Sequence, residues 1–202
     1  MLKESEISNT AVYAALDKMR RDLYDAGLGL TEAMELQVLE GISDEFGALV
    51  ILSKGDDLSI GEALTSGQLQ ISTPDAPSIK NGQQIVIFNP FGGEVHSVVS
   101  TDQKSIVIES PLLSDYSQEN TNMILLRKIS LFLDETYGVI RRKVNASPAQ
   151  PLLESVASFE FDYMRDSNLV RLGLCMKLDE EKEYETTVFP KNTAISSILL
   201  EK

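Results

Sequence analysis

The chain has no tryptophan, one cysteine, one histidine and few aromatic residues, which make up 6% of its 202 positions. A single Cys175 excludes an internal disulfide, so stability rests on the core in any redox compartment. The thiol is read as a packed residue rather than a reactive one. The lone His96 removes multi-histidine metal sites and leaves one imidazole for nucleophilic catalysis, which needs base, orienter and nucleophile together. Set among Val95, Val98 and Val99, it reads as a strand residue with a surface or strand-packing role. The nucleophile elbow Gly-x-Ser-x-Gly is absent, and the glycines of segment 53–61 lack the Gly-Lys-Ser/Thr end of a phosphate loop. There is no run of about 18 apolar residues and no charged-then-apolar leader, so the chain as given is expected to be soluble. Positive charge is also scarce: 18 Lys and Arg against 31 acids give a net charge of −13. That excludes a broad basic field for nucleic acid or anionic membranes, and suits cationic partners or divalent metals.

The length fits one domain able to bury most of its apolar surface. Its expected parts are an N-terminal helix (1–30), a connector with inserted strands (31–122) and a C-terminal antiparallel sheet (123–202). Val12, Leu16, Met19 and Leu23 recur at four- and three-residue spacing, which predicts an amphipathic helix over 8–26. Gly27 and Gly29 stop it. Runs rich in β-branched or aromatic residues predict strands at 48–52, 68–72, 83–89, 94–100, 105–109 and 123–133. The alternation of Val170, Leu172, Leu174, Met176 and Leu178 gives a strand with one core face. Phe159, Phe161 and Tyr163 alternate with polar residues in the strand before it, and 165–168 reads as the loop between the two. A further strand over 184–189 would close a meander, while the acid-rich stretch 179–185 reads as a solvated turn.

Acidic groups at Asp56-Asp57, at 179–185, and at Asp115 with Glu119 and Asn120 could offer oxygens to calcium. Asp115, Glu119 and Asn120 are the candidate ligands, although none of these groups has helix-loop-helix spacing. No other cofactor is expected. Asn145-Ala146-Ser147 matches a glycan acceptor triplet of low specificity, followed directly by Pro148.

The segment YGVIRRKVNASPAQPLLESVASFEFDY, from Tyr137 to Tyr163, supplies Ile140, Arg142, Pro151, Leu152, Glu154, Val156, Phe159, Phe161 and Tyr163. Arg20, Asp22, Leu23, Ala26, Gly27 and Gly29 stand upstream of it. In that order these residues resemble bacterial type IV minor pilins and the J-type minor pseudopilin of type II secretion, without the family's N-terminal apolar half-helix. The resemblance implies an α+β pilin-like fold, with an N-terminal helix packed on an antiparallel sheet and an inserted second β-sheet. It implies a non-enzymatic subunit that primes or caps a pilus or pseudopilus, at the periplasm or cell surface, with other minor pilins as partners. Any membrane contact would run through the missing apolar helix. Tyr13, Arg20 and Tyr24, on the flank of the helix, would meet those partners. The alternative is a ligand- or carbohydrate-binding β-rich surface module of adhesin type, against which the low aromatic content and missing tryptophan count modestly. It would show a concave, aromatic-lined pocket.

Overall fold

A computed structural model describes residues 2–194. Helix α1 (Leu2–Tyr24) and the short α2 (Thr31–Glu35) precede twelve strands. These are β1 (Ile42–Glu45), β2 (Ala48–Leu58), β3 (Gln70–Ser72), β4 (Gln84–Asn89), β5 (Gly92–Thr101) and β6 (Ser105–Ile108). They continue with β7 (Asn122–Asp134), β8 (Val139–Val144), β9 (Gln150–Leu153), β10 (Val156–Met164), β11 (Leu169–Met176) and β12 (Asp179–Val188). Every pairing is antiparallel. Nine strands form one sheet in the order β1-β2-β7-β4-β5-β6-β3, with β8 and β9 continuing from β7, and β10-β11-β12 form a second.

The periodic residues of the N-terminal helix do what their spacing dictates. Val12, Leu16, Met19 and Leu23 are buried, together with Ile51, Ile129 and Leu131 from one face of the large sheet and Val170, Leu172 and Leu174 from the small one. Leu16→Ala is expected to cost about 2–5 kcal/mol through lost transfer energy and the cavity left behind, read by urea or thermal unfolding. A second core lies among β3 to β6, and a third sits under α2 against the opposite face of β2, β4 and β7.

Three expectations need correction. The α+β pilin-like arrangement does not form: among the described residues strand dominates, with 48% strand and 17% helix, in two antiparallel sheets. The physical reason lies in β7, whose thirteen residues carry apolar side chains on both faces. It pairs with β2 on one side and with β4 and β8 on the other. The central strands are thereby fused with those after residue 122 into one sheet, and only β10 to β12 stand apart. The second correction is local: Leu178 leaves the core face of its strand and is 87% exposed, because β11 ends at Met176 and the chain turns there. The stretch read as an acidic turn is instead strand β12.

Candidate functional site: a groove between two sheet edges

Strand β10 is an outer strand of the small sheet and β1 an outer strand of the large one. Between them, and under the connector after α2, lies a cavity of about 580 Å³ lined by Met34, Gln37, Val38, Leu39, Glu40, Gly41, Ile42, Tyr163, Arg165 and Thr193. A smaller hollow of about 240 Å³ adjoins it through the shared Ile42, Tyr163 and Arg165, adding Asp44, Phe161 and Asp162.

Local chemistry shapes each wall. Gln37 takes a positive φ of 57°, which turns the chain out of α2. Gly41 follows where a Cβ would come within 2.7 Å of Thr193 Cγ2 and 3.0 Å of the Gly27 nitrogen, so only glycine lets the connector lie this close. On the opposite wall the chain leaves β10 through a short 3-10 turn over Arg165–Ser167 and reverses at Asn168, φ 50°. Asparagine suits that left-handed position, and its amide also organises the surroundings. Asn168 Oδ1 accepts from the Tyr163 hydroxyl at 2.9 Å and from Thr193 Oγ1 at 2.7 Å, while Nδ2 donates to the Pro190 carbonyl. The Tyr163 ring is thus held in place from behind and half-buried against the core.

Across the groove Arg165 Nη1 and Nη2 donate to the two Glu40 carboxylate oxygens at 2.5 and 2.7 Å. The hydrogen bond to Glu40 raises the guanidinium pKa above its already high value. Both partners are largely exposed, so the pair contributes little to stability, on the order of 0–1 kcal/mol. Its geometric effect is larger. The fork is occupied, and the groove presents Asp44 and Asp162 with no other lining cation among the described residues.

The residues singled out from sequence lie elsewhere. Tyr13, Arg20 and Tyr24 do share one flank of α1: Tyr13 meets Tyr184 of β12 edge-on at 6.1 Å, and Arg20 Nη2 donates to the Tyr24 hydroxyl at 3.5 Å. Asp115 is spent as an acceptor for the Ser66 backbone N–H at 2.7 Å, and Glu119 and Asn120 are exposed in a 3-10 turn. Among the described residues no group of three or more His, Cys, Asp or Glu is arranged to hold a metal. No described helix is long and apolar enough to cross a membrane. Cys175 is partly buried and unpaired, on the less apolar face of β11.

His96 proved less isolated than its valine neighbours suggest. Its Nε2 lies 2.7 Å from Glu94 Oε2 and its Nδ1 lies 3.2 Å from Ser110 Oγ, which brings hydroxyl, imidazole and carboxylate into line. The carboxylate is fully engaged: it also accepts from the Leu113 and Ser114 backbone N–H groups and from the Tyr116 hydroxyl. Neither groove described above reaches Ser110. The cluster is a clamp that fastens segment 110–116 to β5.

No known family profile matches the sequence, and no curated protein matches it. Three solved structures bear partial similarity. The Gp54 tailspike of Acinetobacter baumannii bacteriophage AP22, in complex with A. baumannii capsular saccharide, matches with a TM-score of 0.32 and 15% identity, over 38% of this chain and 15% of that one. The tailspike gp49 from Pseudomonas phage LKA1 matches with a TM-score of 0.31 and 20% identity, over 38% and 14%. The phage phi92 endosialidase matches with a TM-score of 0.23 and 10% identity, over 68% and 32%. The chain therefore spans a third or less of each matched protein. The resemblance to minor pilins and pseudopilins is corrected by the chain's own architecture: strand dominates the described residues, and two antiparallel sheets stand where an α+β pilin-like fold was expected. With that family go its filament role and the minor-pilin partners of the Tyr13, Arg20 and Tyr24 flank.

Proposed function

We propose that the protein is a carbohydrate-binding β-rich module whose groove between β1 and β10 takes a neutral saccharide. The observation that carries this reading is the composition of the groove. A held aromatic ring, Tyr163, stands beside amide and carboxylate groups from Gln37, Glu40 and Asp44. Sugars present apolar C–H faces and rims of hydroxyls, so an aromatic surface flanked by planar hydrogen-bonding groups is complementary to them. Charge argues for a neutral ligand. Arg165 is committed to Glu40 and Arg171 faces Asp162 at 4.0 Å, so an anionic sugar would meet Asp44 and Asp162 with no free lining cation among the described residues. Low overall aromatic content is no obstacle, because two of the chain's 13 Phe and Tyr, Phe161 and Tyr163, line the groove from the same face of β10.

Binding without a chemical step is part of the proposal. The chain's lone imidazole is buried, and its carboxylate partner is consumed by backbone and phenol donors.

Titration of neutral oligosaccharides into the protein, followed by amide NMR shifts, should perturb Gln37, Glu40, Tyr163 and Arg165 together. Tyr163→Ala should weaken binding about tenfold, the equivalent of ~1.4 kcal/mol of lost stacking and hydrogen bonding. Glu40→Gln, exposed and harmless to the fold, should weaken it severalfold. Shifts confined to other surfaces, or affinity unmoved in both variants, would remove the groove from the reading.

A further inference from the structure

The geometry points to a second saccharide subsite on the face of the large sheet that α2 packs against, beside the third core, built for a sugar carrying a carboxylate, with Phe46 as its platform and Lys143 as its countercharge. It rests on the carbohydrate reading only for the class of ligand. Its residues are separate from those of the first groove.

Phe46 forms the tip of the β1–β2 hairpin and is fully exposed. Its backbone is left-handed, φ 55°, and Gly47 after it has φ 80°. A hairpin turn with two positive φ values favours asparagine, aspartate or glycine. A bulky aromatic there is an outlier that gives the fold neither a comfortable backbone nor buried surface. Asp44 Oδ1 already holds the turn by accepting from the Gly47 N–H at 2.8 Å. Such an expenditure of strain and exposed apolar area is explained if the ring serves a contact outside the fold.

What lies beside the ring identifies that contact. Phe46 borders a hollow of about 340 Å³ whose floor carries Gln84, Ser97, Ser130 and Asn145 between Lys128 and Lys143. Antiparallel register explains the gathering. Ser130 pairs with Val50 and with Lys143, and Gln84 pairs with Ser97, so polar side chains of four strands line one face. The two lysines are not equivalent. Lys128 Nζ lies 2.6 Å from Glu45 Oε2, whereas Lys143 is exposed and makes no ion pair among the described residues. Amides and hydroxyls suit a sugar rim, the Phe46 ring suits its apolar face, and the one uncommitted ammonium sets the charge of the ligand. The net charge of −13 does not forbid this. At physiological salt the Debye length is about 8 Å, so the distant field is largely screened while a contact of a few ångströms persists. A short acidic saccharide is accordingly preferred over a long polyanion.

The test uses the full chain and a galacturonic-acid disaccharide, with its methyl ester as the neutral match, titrated at physiological salt and followed by amide NMR. The expected result is saturable binding of the acid that moves Phe46, Gln84, Ser130 and Lys143, with the ester at least fivefold weaker. Lys143→Gln should lower affinity for the acid about tenfold and for the ester hardly at all. Phe46→Asn should abolish the shifts at Gln84, Ser130 and Lys143 with acid and ester alike, while leaving the melting temperature unchanged or raised, since asparagine suits the turn. That combination separates a ligand platform from a structural residue. Equal affinity for acid and ester, no saturable binding of the acid, or indifference to both substitutions would overturn the proposal. Loss of acid binding in Tyr163→Ala alone would place the acid in the first groove, overturning the second subsite while sparing the carbohydrate reading.

Discussion

Asp22→Ala is expected to destabilise the protein by about 3–5 kcal/mol, the magnitude found when one partner of a buried ion pair is removed. Asp22, on α1, is 1% exposed. Arg142 of β8 donates to it through Nε at 2.6 Å and Nη2 at 3.0 Å, and Lys18 Nζ reaches the same carboxylate at 3.1 Å. A bidentate guanidinium satisfies both oxygens in one plane, which a lysine in its place would not do. Removing the carboxylate leaves the half-buried guanidinium of Arg142 uncompensated where the helix meets the large sheet. Arg142→Ala should be nearly as costly, and the double variant Asp22→Leu with Arg142→Met should recover much of the loss, because neither charge then remains to be desolvated. Urea unfolding of the three variants checks this. A double variant as unstable as the sum of the singles would mean that the pair is not coupled.

Both members of that pair were visible in the sequence as conspicuous polar residues, yet nothing local joins positions 120 apart in the chain. The same limit divides the rest of the molecule. Periodicity placed the helix and most strands, because 3.6- and two-residue repeats are local properties: Leu16 and Met19, or Leu172 and Leu174, announce their burial by spacing alone. It did not place the sheet boundary. The run over β7 is apolar on both faces, and that pattern says the strand is covered on both sides without saying which strands flank it. The groove was equally hidden. Tyr163 stood out by alternation, whereas Glu40 lay in a stretch with no clear period and Arg165 in a loop. Their pairing is a product of the tertiary fold, separated by 125 residues. Phe46 is a different case. A phenylalanine before glycine at a tight turn is a local conflict, readable in principle once the strands on either side are assigned.

Glu94→Ala is expected to cost about 3–5 kcal/mol and to flatten the acid limb of the stability curve. The carboxylate is almost fully buried and serves three donors from a segment remote in sequence, Leu113 N–H, Ser114 N–H and the Tyr116 hydroxyl, together with the His96 ring of its own strand. Orphaning buried donors costs about 1–3 kcal/mol each, less than additively. Burial pushes the Glu94 carboxyl up, but the hydrogen bonds from Leu113, Tyr116 and His96, with the His96 charge, outweigh it and hold the group below the ordinary carboxylate value. Burial and the bond to Glu94 push the Tyr116 phenol well above its ordinary value, so it remains a proton donor throughout. The sign then follows. A carboxyl whose folded pKa lies below its unfolded one binds more protons unfolded, so it stabilises the fold at pH above the unfolded value, near 4.3. That contribution is lost as pH falls through the folded pKa. The wild type should therefore lose stability on acidification below about pH 4.5 more steeply than Glu94→Gln, which keeps the shape and cannot titrate. Amide exchange at Leu113 and Ser114 should quicken in the same window. Parallel acid limbs in the wild type and Glu94→Gln would show that the carboxylates unloading there lie elsewhere, and that segment 110–116 is held by the Leu112 and Tyr116 packing rather than by the charge.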